Sequence, residues 1–443
     1  MGTISEQAAI LRRRWETDPR WAGIERTYFA EDVLRLRGSV VEEHTLARLG
    51  ATRLWDLLHS QDAICALGAI SGSQAVQMVQ AGLRAIYLSG WQVGADGNLA
   101  ARACPDQELY PANPAPAMVR QINKALLDAD RIAWSEQGGE APAQKWLAPV
   151  VADAEAGSDG VLNAFELMMA MIEAGAAGVC FEDRLPSEKK GGYLSGKVLT
   201  PTGQHITTLN AARLAADVLG VPALVIARTA ATAATMLTSD VDERDHEFLT
   251  GERTAEGFYG VRPGLYACVT RGLAFAPYAD LLWMETSTPD LAEARAFAQI
   301  IHSQYPDKML AYSCSPSCNW RAHLDDADIA KFEKELAAMG YRFQFTIPAG
   351  FRTLTPPVSG PAHGDARQDV PAYVPRQDAE FAGGPLGYSA ARHQRAAGTT
   401  YFDLVTQALA TGAETAALAA SLEPAHFVGH DLVDHHGRLV PAD

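Results

Sequence analysis

A TIM-like (β/α)8 barrel of the α/β class is what this sequence predicts, on three observations: about eight short apolar runs, amphipathic stretches of helical period between them, and acidic residues closing the runs. The runs are 63–70, 85–91, 147–154, 178–183, 223–229, 281–286, 309–313 and 341–347. Few alternate cleanly, as expected where side chains inside a barrel cover one face of each strand and helices cover the other. The 443 residues would fill two or three average domains, but α/β barrels run long as single units.

Taken in order, residues 1–60 predict an N-terminal helical layer, with short helices at 32–36 and 41–49. The barrel and its insertions occupy 61–352, with outer helices such as 163–174 and 290–304, the second opening after Pro289 with acidic residues in its first turn. Gly-, Thr- and charge-rich insertions at about 186–207 and 240–260 read as long loops on the side where barrel loops shape a site. Residues 353–443 read as an irregular proline-rich segment, its five prolines at 353–384 forbidding a continuous helix, followed by C-terminal helices.

The formal charge of −16, with no basic run beyond Arg12, Arg13 and Arg14, argues against nucleic acid and anionic membranes as partners. No leader pattern opens the chain and no apolar stretch reaches the ~18 residues of a membrane span, so cytoplasm is the expected address. Six scattered cysteines fit reduced thiols better than a disulfide scaffold.

Catalytic residues in such barrels sit at the C-terminal ends of the strands. Here those ends carry Asp153 and Glu155 after the third run, Glu182 and Asp183 after the fourth, Arg228 after the fifth and Glu285 after the sixth, while Asp106 follows the second. Hard oxygen donors in this number suit Mg²⁺ or Mn²⁺; for any single acid, a helix cap or surface charge competes evenly with that reading. Arg228 would point into the acidic crown and could hold a substrate carboxylate in a two-pronged bond, or serve as counter-ion to Glu182 or Glu285, or do both. Ser89, Gly90 and Trp91 offer a hydroxyl and backbone N–H groups beside a bulky wall, and Ser313, Ser315 and Ser317 offer hydroxyls for a second carboxylate, a Ser-rich turn being the plainer alternative. No nucleophile elbow, P-loop, dinucleotide fingerprint or H-E-x-x-H pattern is present.

Longer motifs carry a resemblance. Tyr87-Leu88-Ser89-Gly90-Trp91-Gln92-Val93, Pro105-Asp106-Gln107, Val151-Ala152-Asp153-Ala154-Glu155-Ala156-Gly157, Phe181-Glu182-Asp183 and Thr250-Gly251-Glu252-Arg253-Thr254 make the chain resemble the isocitrate lyase family of the isocitrate lyase/phosphoenolpyruvate mutase superfamily over nearly its whole length. The resemblance implies a barrel in a homotetramer, Mg²⁺ dependence, and reversible cleavage of a tricarboxylate to glyoxylate and succinate. It implies Asp153 as the direct metal ligand, Asp106, Glu155 and Glu182 acting through water, and Ser89, Gly90, Trp91 and Arg228 holding the glyoxylate end.

Departures fall in the other half. The family's Lys-Lys-Cys-Gly-His loop reads Lys189-Lys190-Gly191-Gly192-Tyr193, so the cysteine that exchanges a proton with the succinate carbon is absent. Such acid–base help is worth roughly 10²- to 10⁴-fold. The family's Asn-Cys-Ser-Pro-Ser begins here with Ser313, and the Thr that contacts succinate is Ile347. Pro356, Pro357 and Pro361 occupy a stretch that is helical and exchanged between subunits in the family. The leading expectation is therefore a metal-dependent carbon–carbon lyase that releases glyoxylate or a similar 2-oxo acid from a 2-hydroxy polycarboxylate, with a partner fragment other than succinate. Tyr193 is the first candidate for the replacement acid, with water or Cys318 behind it, and Lys189, Lys190, Gly192 and Glu285 complete the expected site. The alternatives are a conventional isocitrate lyase, oxaloacetate or phosphonate chemistry of the superfamily, and a catalytically silent binder of Mg²⁺ and an acid.

Overall fold

The computed structural model describes residues 3–98, 112–136, 144–154, 160–188, 196–315, 318–347, 349, 374–375, 377–378, 381–382 and 409. Twelve strands are found among them: β1 (Ile64–Gly68), β2 (Ala85–Leu88), β3 (Val150–Asp153), β4 (Gly178–Glu182), β5 (Lys197–Leu199), β6 (Leu224–Thr229), β7 (Ala234–Leu237), β8 (Leu249–Arg253), β9 (Tyr259–Val261), β10 (Leu281–Met284), β11 (Met309–Ser313) and β12 (Tyr341–Thr346). Eight close into a barrel in the order β1-β12-β11-β10-β6-β4-β3-β2, every pair parallel. Each barrel strand falls inside one of the eight apolar runs, so the predicted architecture is the observed one.

Period-two alternation divides the strand residues between two cores. Ala66, Tyr87, Val151, Cys180, Ile226, Trp283, Ala311 and Phe345 point inward and pack together. Phe345 stacks on Tyr87 with ring centroids 4.1 Å apart and meets Trp283 edge-on at 5.0 Å, filling the barrel with aromatic area. Ala51, Leu54 and Leu58 of the helix Thr45–Ser60 join this inner core, so the N-terminal layer plugs the barrel. Leu67, Ile86, Val179, Val225, Leu282 and Leu310 point outward against the helical ring. Ring helices begin and end as their sequences dictate: Asp290 caps Leu291–Gln304 by accepting from Ala292 and Glu293 N–H groups, and Gly175 ends Val161–Ala174 at φ 99°, a conformation costly for any residue with a Cβ.

Three expectations need correction. The stretch 41–49 is not a helix of its own, since the helix starts at Thr45 and Val41 is exposed. Residues 196–207 are not loop but β5 and the first turns of the helix Thr202–Leu219. Residues 240–260 contain the short helix Glu243–His246 and strands β8 and β9, which join β5 and β7 in a second sheet ordered β5-β7-β9-β8. The proline-rich segment at 353–384 lies almost wholly outside the described residues. Among those described, no helix is long and apolar enough to cross a membrane.

Candidate active site

Continuing the inward alternation past the aromatic layer places Gly68, Ser89, Asp153, Glu182, Arg228, Glu285, Ser313 and Ile347 in one ring at the C-terminal mouth. This ring gathers most of the described candidates. It also separates Glu182 from Asp183, which the sequence treats alike. Asp183 points outward, where its carboxylate accepts from the Thr229 hydroxyl at 2.7 Å, the Ala230 N–H at 2.9 Å and Arg271 at 3.0 Å, a buried structural knot behind the wall.

Asp153, 3% exposed, accepts a hydrogen bond from the Tyr87 hydroxyl and another from the Gly90 N–H at 3.0 Å. Burial, with Asp153 adding to it, pushes the Tyr87 phenol well above its ordinary range, so Tyr87 remains a donor. Ser89, also buried, caps the turn that follows, its hydroxyl accepting from the Gln92 N–H, and that turn is what aims the Gly90 N–H at Asp153.

Arg228 is paired in register with Glu182 on one side and Trp283 on the other. Its guanidinium lies 4.1 Å over the Trp283 ring and donates through Nε (2.9 Å) and Nη2 (2.6 Å) to Glu285 Oε2, with Glu182 Oε1 3.3 Å from Nε. The counter-ion role foreseen for Arg228 is thus present. Two cations that sequence reasoning missed complete the group. Lys197, fully buried at the head of β5, donates to Glu285 Oε1 at 2.8 Å, and Arg184 donates through Nη2 to Glu182 Oε2 at 2.8 Å, forms an ion pair with Glu182 Oε1 through Nε, and lies 3.9 Å from Glu285. The signal for them was charge balance: buried carboxylates require buried cations nearby. Burial alone would neutralise Glu285, but Arg228, Lys197 and Arg184 hold its carboxyl well below the usual range. Burial likewise works against Arg228, yet Glu182 and Glu285 keep its pKa well above normal.

The opposite side of the ring is uncharged. Ser313 ends β11 with a buried hydroxyl that has no partner among the described residues, and Ile347 follows β12. Ser315 is described, its carbonyl accepting from the Trp320 indole at 3.1 Å. Asp106, Glu155, Lys189, Lys190, Gly192, Tyr193 and Ser317 lie outside the described residues, as does the whole loop 189–195, so of the expected metal set only Asp153 and Glu182 are described. Among the described residues no group of three or more His, Cys, Asp or Glu could hold a metal ion. The donors present are still chemically apt for a hard cation: Asp153 brings carboxylate oxygens to the end of β3, and Glu182 brings a second carboxylate, engaged by two arginines, to the end of the neighbouring β4.

Comparison with known proteins shows the family. A model of the Isocitrate lyase family matches residues 7–255 and 250–427. The chain is similar to Isocitrate lyase 1 of Mycobacterium tuberculosis (strain ATCC 35801 / TMC 107 / Erdman), 56% identical over 422 residues, 95% of this chain and 98% of that protein. It is also similar to isocitrate lyase of Escherichia coli (strain K12), 53% identical over 435 residues, 96% of this chain and 100% of that protein. Among solved structures, oxaloacetate acetylhydrolase with 3,3-difluorooxalacetate is a remote likeness at TM-score 0.49 and 20% identity, covering 76% of this chain and 97% of that one. On the family match and these identities, this chain belongs to the isocitrate lyase family and is a carbon–carbon lyase.

Proposed function

We propose that the enzyme cleaves isocitrate reversibly into glyoxylate and succinate with the help of Mg²⁺ or Mn²⁺. The observation that carries this reading is the charged arc of Asp153, Glu182, Arg228 and Glu285 at the barrel mouth. Isocitrate in particular is favoured by full-length relatives that bear its name in theirs. In the cleavage, the C2 hydroxyl loses its proton, the C2–C3 bond breaks, its electron pair passes into the carboxylate on C3, and C3 then takes a proton. The hydroxyl carbon leaves as the aldehyde of glyoxylate. Arg228, whose bonds among described residues use Nε and Nη2, has Nη1 for the glyoxylate carboxylate, with Ser89, Gly90 and Trp91 beside it. Asp153 would hold the metal directly and Asp106, Glu155 and Glu182 through water; the ion would supply positive charge favouring loss of the hydroxyl proton. Ser313, Ser315, Ser317 and Gly192 would face the other acid. The homotetramer is part of the proposal, and sedimentation of the full chain checks it.

A second reading rests on one observation, the glycine at 191, which has no side chain to protonate C3. In this reading the fragment released with glyoxylate is not succinate, and the Tyr193 hydroxyl, assisted by Lys189 and Lys190, delivers the proton. One experiment separates the readings: purified protein with Mg²⁺ is incubated with isocitrate, 2-methylisocitrate and simpler 2-hydroxy diacids, and released glyoxylate is trapped as its phenylhydrazone. Ready release from isocitrate, silenced by a chelator and restored by Mg²⁺, is the expected result. Release from another acid alone moves the assignment to the second reading, and silence on all of them defeats both.

A further inference from the structure

Gln92 lies just beyond the Ser89-Gly90-Trp91 turn and is fully buried. Among the described residues neither its Oε1 nor its Nε2 has a hydrogen-bond partner. A buried carboxamide left wholly unsatisfied is rare, and it marks either strain or a group that waits for a ligand or water. Its position favours a ligand. Gly68 belongs to the inward ring, and a Cβ there would fall 2.5 Å from Gln92 Oε1 and 1.8 Å from the Ile347 carbonyl oxygen. The absence of a side chain at 68 is therefore what lets the Gln92 amide and the Ile347 backbone occupy the mouth between β1 and β12.

The residue that meets this amide at Gly68 is a poor partner. Ile347 presents an apolar side chain packed on the inner core, and Ser313, on the same uncharged side, has its own hydroxyl unsatisfied and buried. Among the described residues two separate polar groups thus stand without partners on the uncharged side, whereas Glu182, Glu285 and their cations pair with one another. A ligand with an oxygen acceptor at that end would satisfy Nε2, and a hydroxyl or protonated acid would satisfy Oε1 as well.

We propose that Gln92 is a specificity-determining residue whose carboxamide hydrogen-bonds an oxygen of the fragment released together with glyoxylate. This rests on the lyase reading above, in which two acids share the mouth. Gln92 and Ser313 together then select an oxygen-bearing end group without a fixed cation, and an apolar fragment of the same size leaves both unpaired and is rejected.

The test uses Gln92→Leu and Gln92→Met in the full chain, in the condensation direction, with the acid that the wild type accepts. The KM for that acid rises roughly 10- to 100-fold, the loss of one bond to a carboxylate, while the KM for glyoxylate stays within about threefold. Thermal unfolding of the ligand-free proteins is measured alongside. Replacing an unsatisfied amide with an apolar side chain of similar shape leaves the midpoint unchanged or higher. An unchanged KM for the second acid overturns the proposal. So does a lowered ligand-free midpoint, because it shows the amide serving the fold through a buried water. Should the wild type process no acid, the lyase reading fails by itself, and the ligand-free midpoints still decide whether Gln92 is held in reserve for a ligand.

Discussion

The barrel mouth has two halves made of equal numbers of neighbouring strands. On β10, β6, β4 and β3 the inward ring carries Glu285, Arg228, Glu182 and Asp153, and on β11, β12, β1 and β2 it carries Ser313, Ile347, Gly68 and Ser89. In the first half Glu182, Arg228 and Glu285 are buried and locked together with Lys197 and Arg184, while Asp153 is held by the Tyr87 hydroxyl and the Gly90 N–H. In the second, the hydroxyl of Ser313 and the amide of Gln92 lack partners among the described residues. The difference teaches how such a site divides its work. Ion pairs fix the geometry of a charged half before substrate arrives, so little is reorganised when it binds. A neutral half can stay unfinished at modest cost, and selection among substrates is made there.

The largest effect should follow from breaking the charged half. Arg228→Met leaves Glu285 and Glu182 facing Lys197 and Arg184 without their central cation and takes away the group offered to the glyoxylate carboxylate. Activity should fall roughly 10²- to 10³-fold, and stability by about 3–5 kcal/mol, because removing one member of a buried ion cluster strands its partners. Steady-state kinetics and urea unfolding measure both. Equal loss of stability with activity intact would reduce Arg228 to a counter-ion.

Acid should spare the Glu285–Arg228 pair and act elsewhere. Glu285 titrates far below neutrality and Arg228 far above it. His205, buried on the helix Thr202–Leu219 with its ring edge-on to Phe275 at 4.6 Å, is different: burial lowers its pKa to about 4, with Asp183 opposing and Arg271 assisting. A histidine held neutral in the folded state contributes stability above its unfolded pKa near 6.5. That stability drains away as pH falls from about 6.5 toward 4, where the unfolded chain binds the proton first. The contribution amounts to about 3 kcal/mol across that window. Urea unfolding at several pH values should show it in the wild type, and His205→Leu should flatten the difference.

Lys197→Met should cost less than Arg228→Met, roughly 10- to 100-fold in activity, as for outer partners that orient a working group. Lys197→Arg should restore much of it. Failure of the arginine to rescue would point to the space that Lys197 fills at the head of β5 and away from its charge.

Much of this was legible beforehand. The eight barrel strands were readable because both faces of each are covered, so each announces itself as an apolar run; β11 coincides with the run 309–313. The second sheet was not readable. β5 is three residues long, and β8 exposes Thr250, Gly251, Glu252 and Arg253, so neither carries an apolar signature. For the site, run-ending acids located Asp153, Glu182 and Glu285, and strict alternation along β4 would also have told Glu182 from Asp183. Lys197 and Arg184 were hidden because they lie outside the barrel strands, Lys197 on β5 of the second sheet and Arg184 just past β4, and Gln92 because nothing in its motif says that its amide lacks a partner.

The smallest effect, and the most discriminating, is expected in the neutral half. Ser313→Asn with Ile347→Thr returns to the mouth the residue types that the resemblance places there. An asparagine is longer than a serine, and a threonine hydroxyl beside Gln92 gives its amide a bond it lacks. The pair should alter stability by no more than about 1 kcal/mol, since a lost apolar contact at Ile347 is offset by a new hydrogen bond. Its effect on turnover depends on which acid the natural mouth selects. If that acid is succinate, the double variant changes its KM only a few-fold, and the charged half, being independent of it, leaves the KM for glyoxylate alone. A rise of tenfold or more in succinate affinity would mean that Ser313 and Ile347 had been tuned to another fragment, and the difference between the two halves would then be one of substrate as well as of charge.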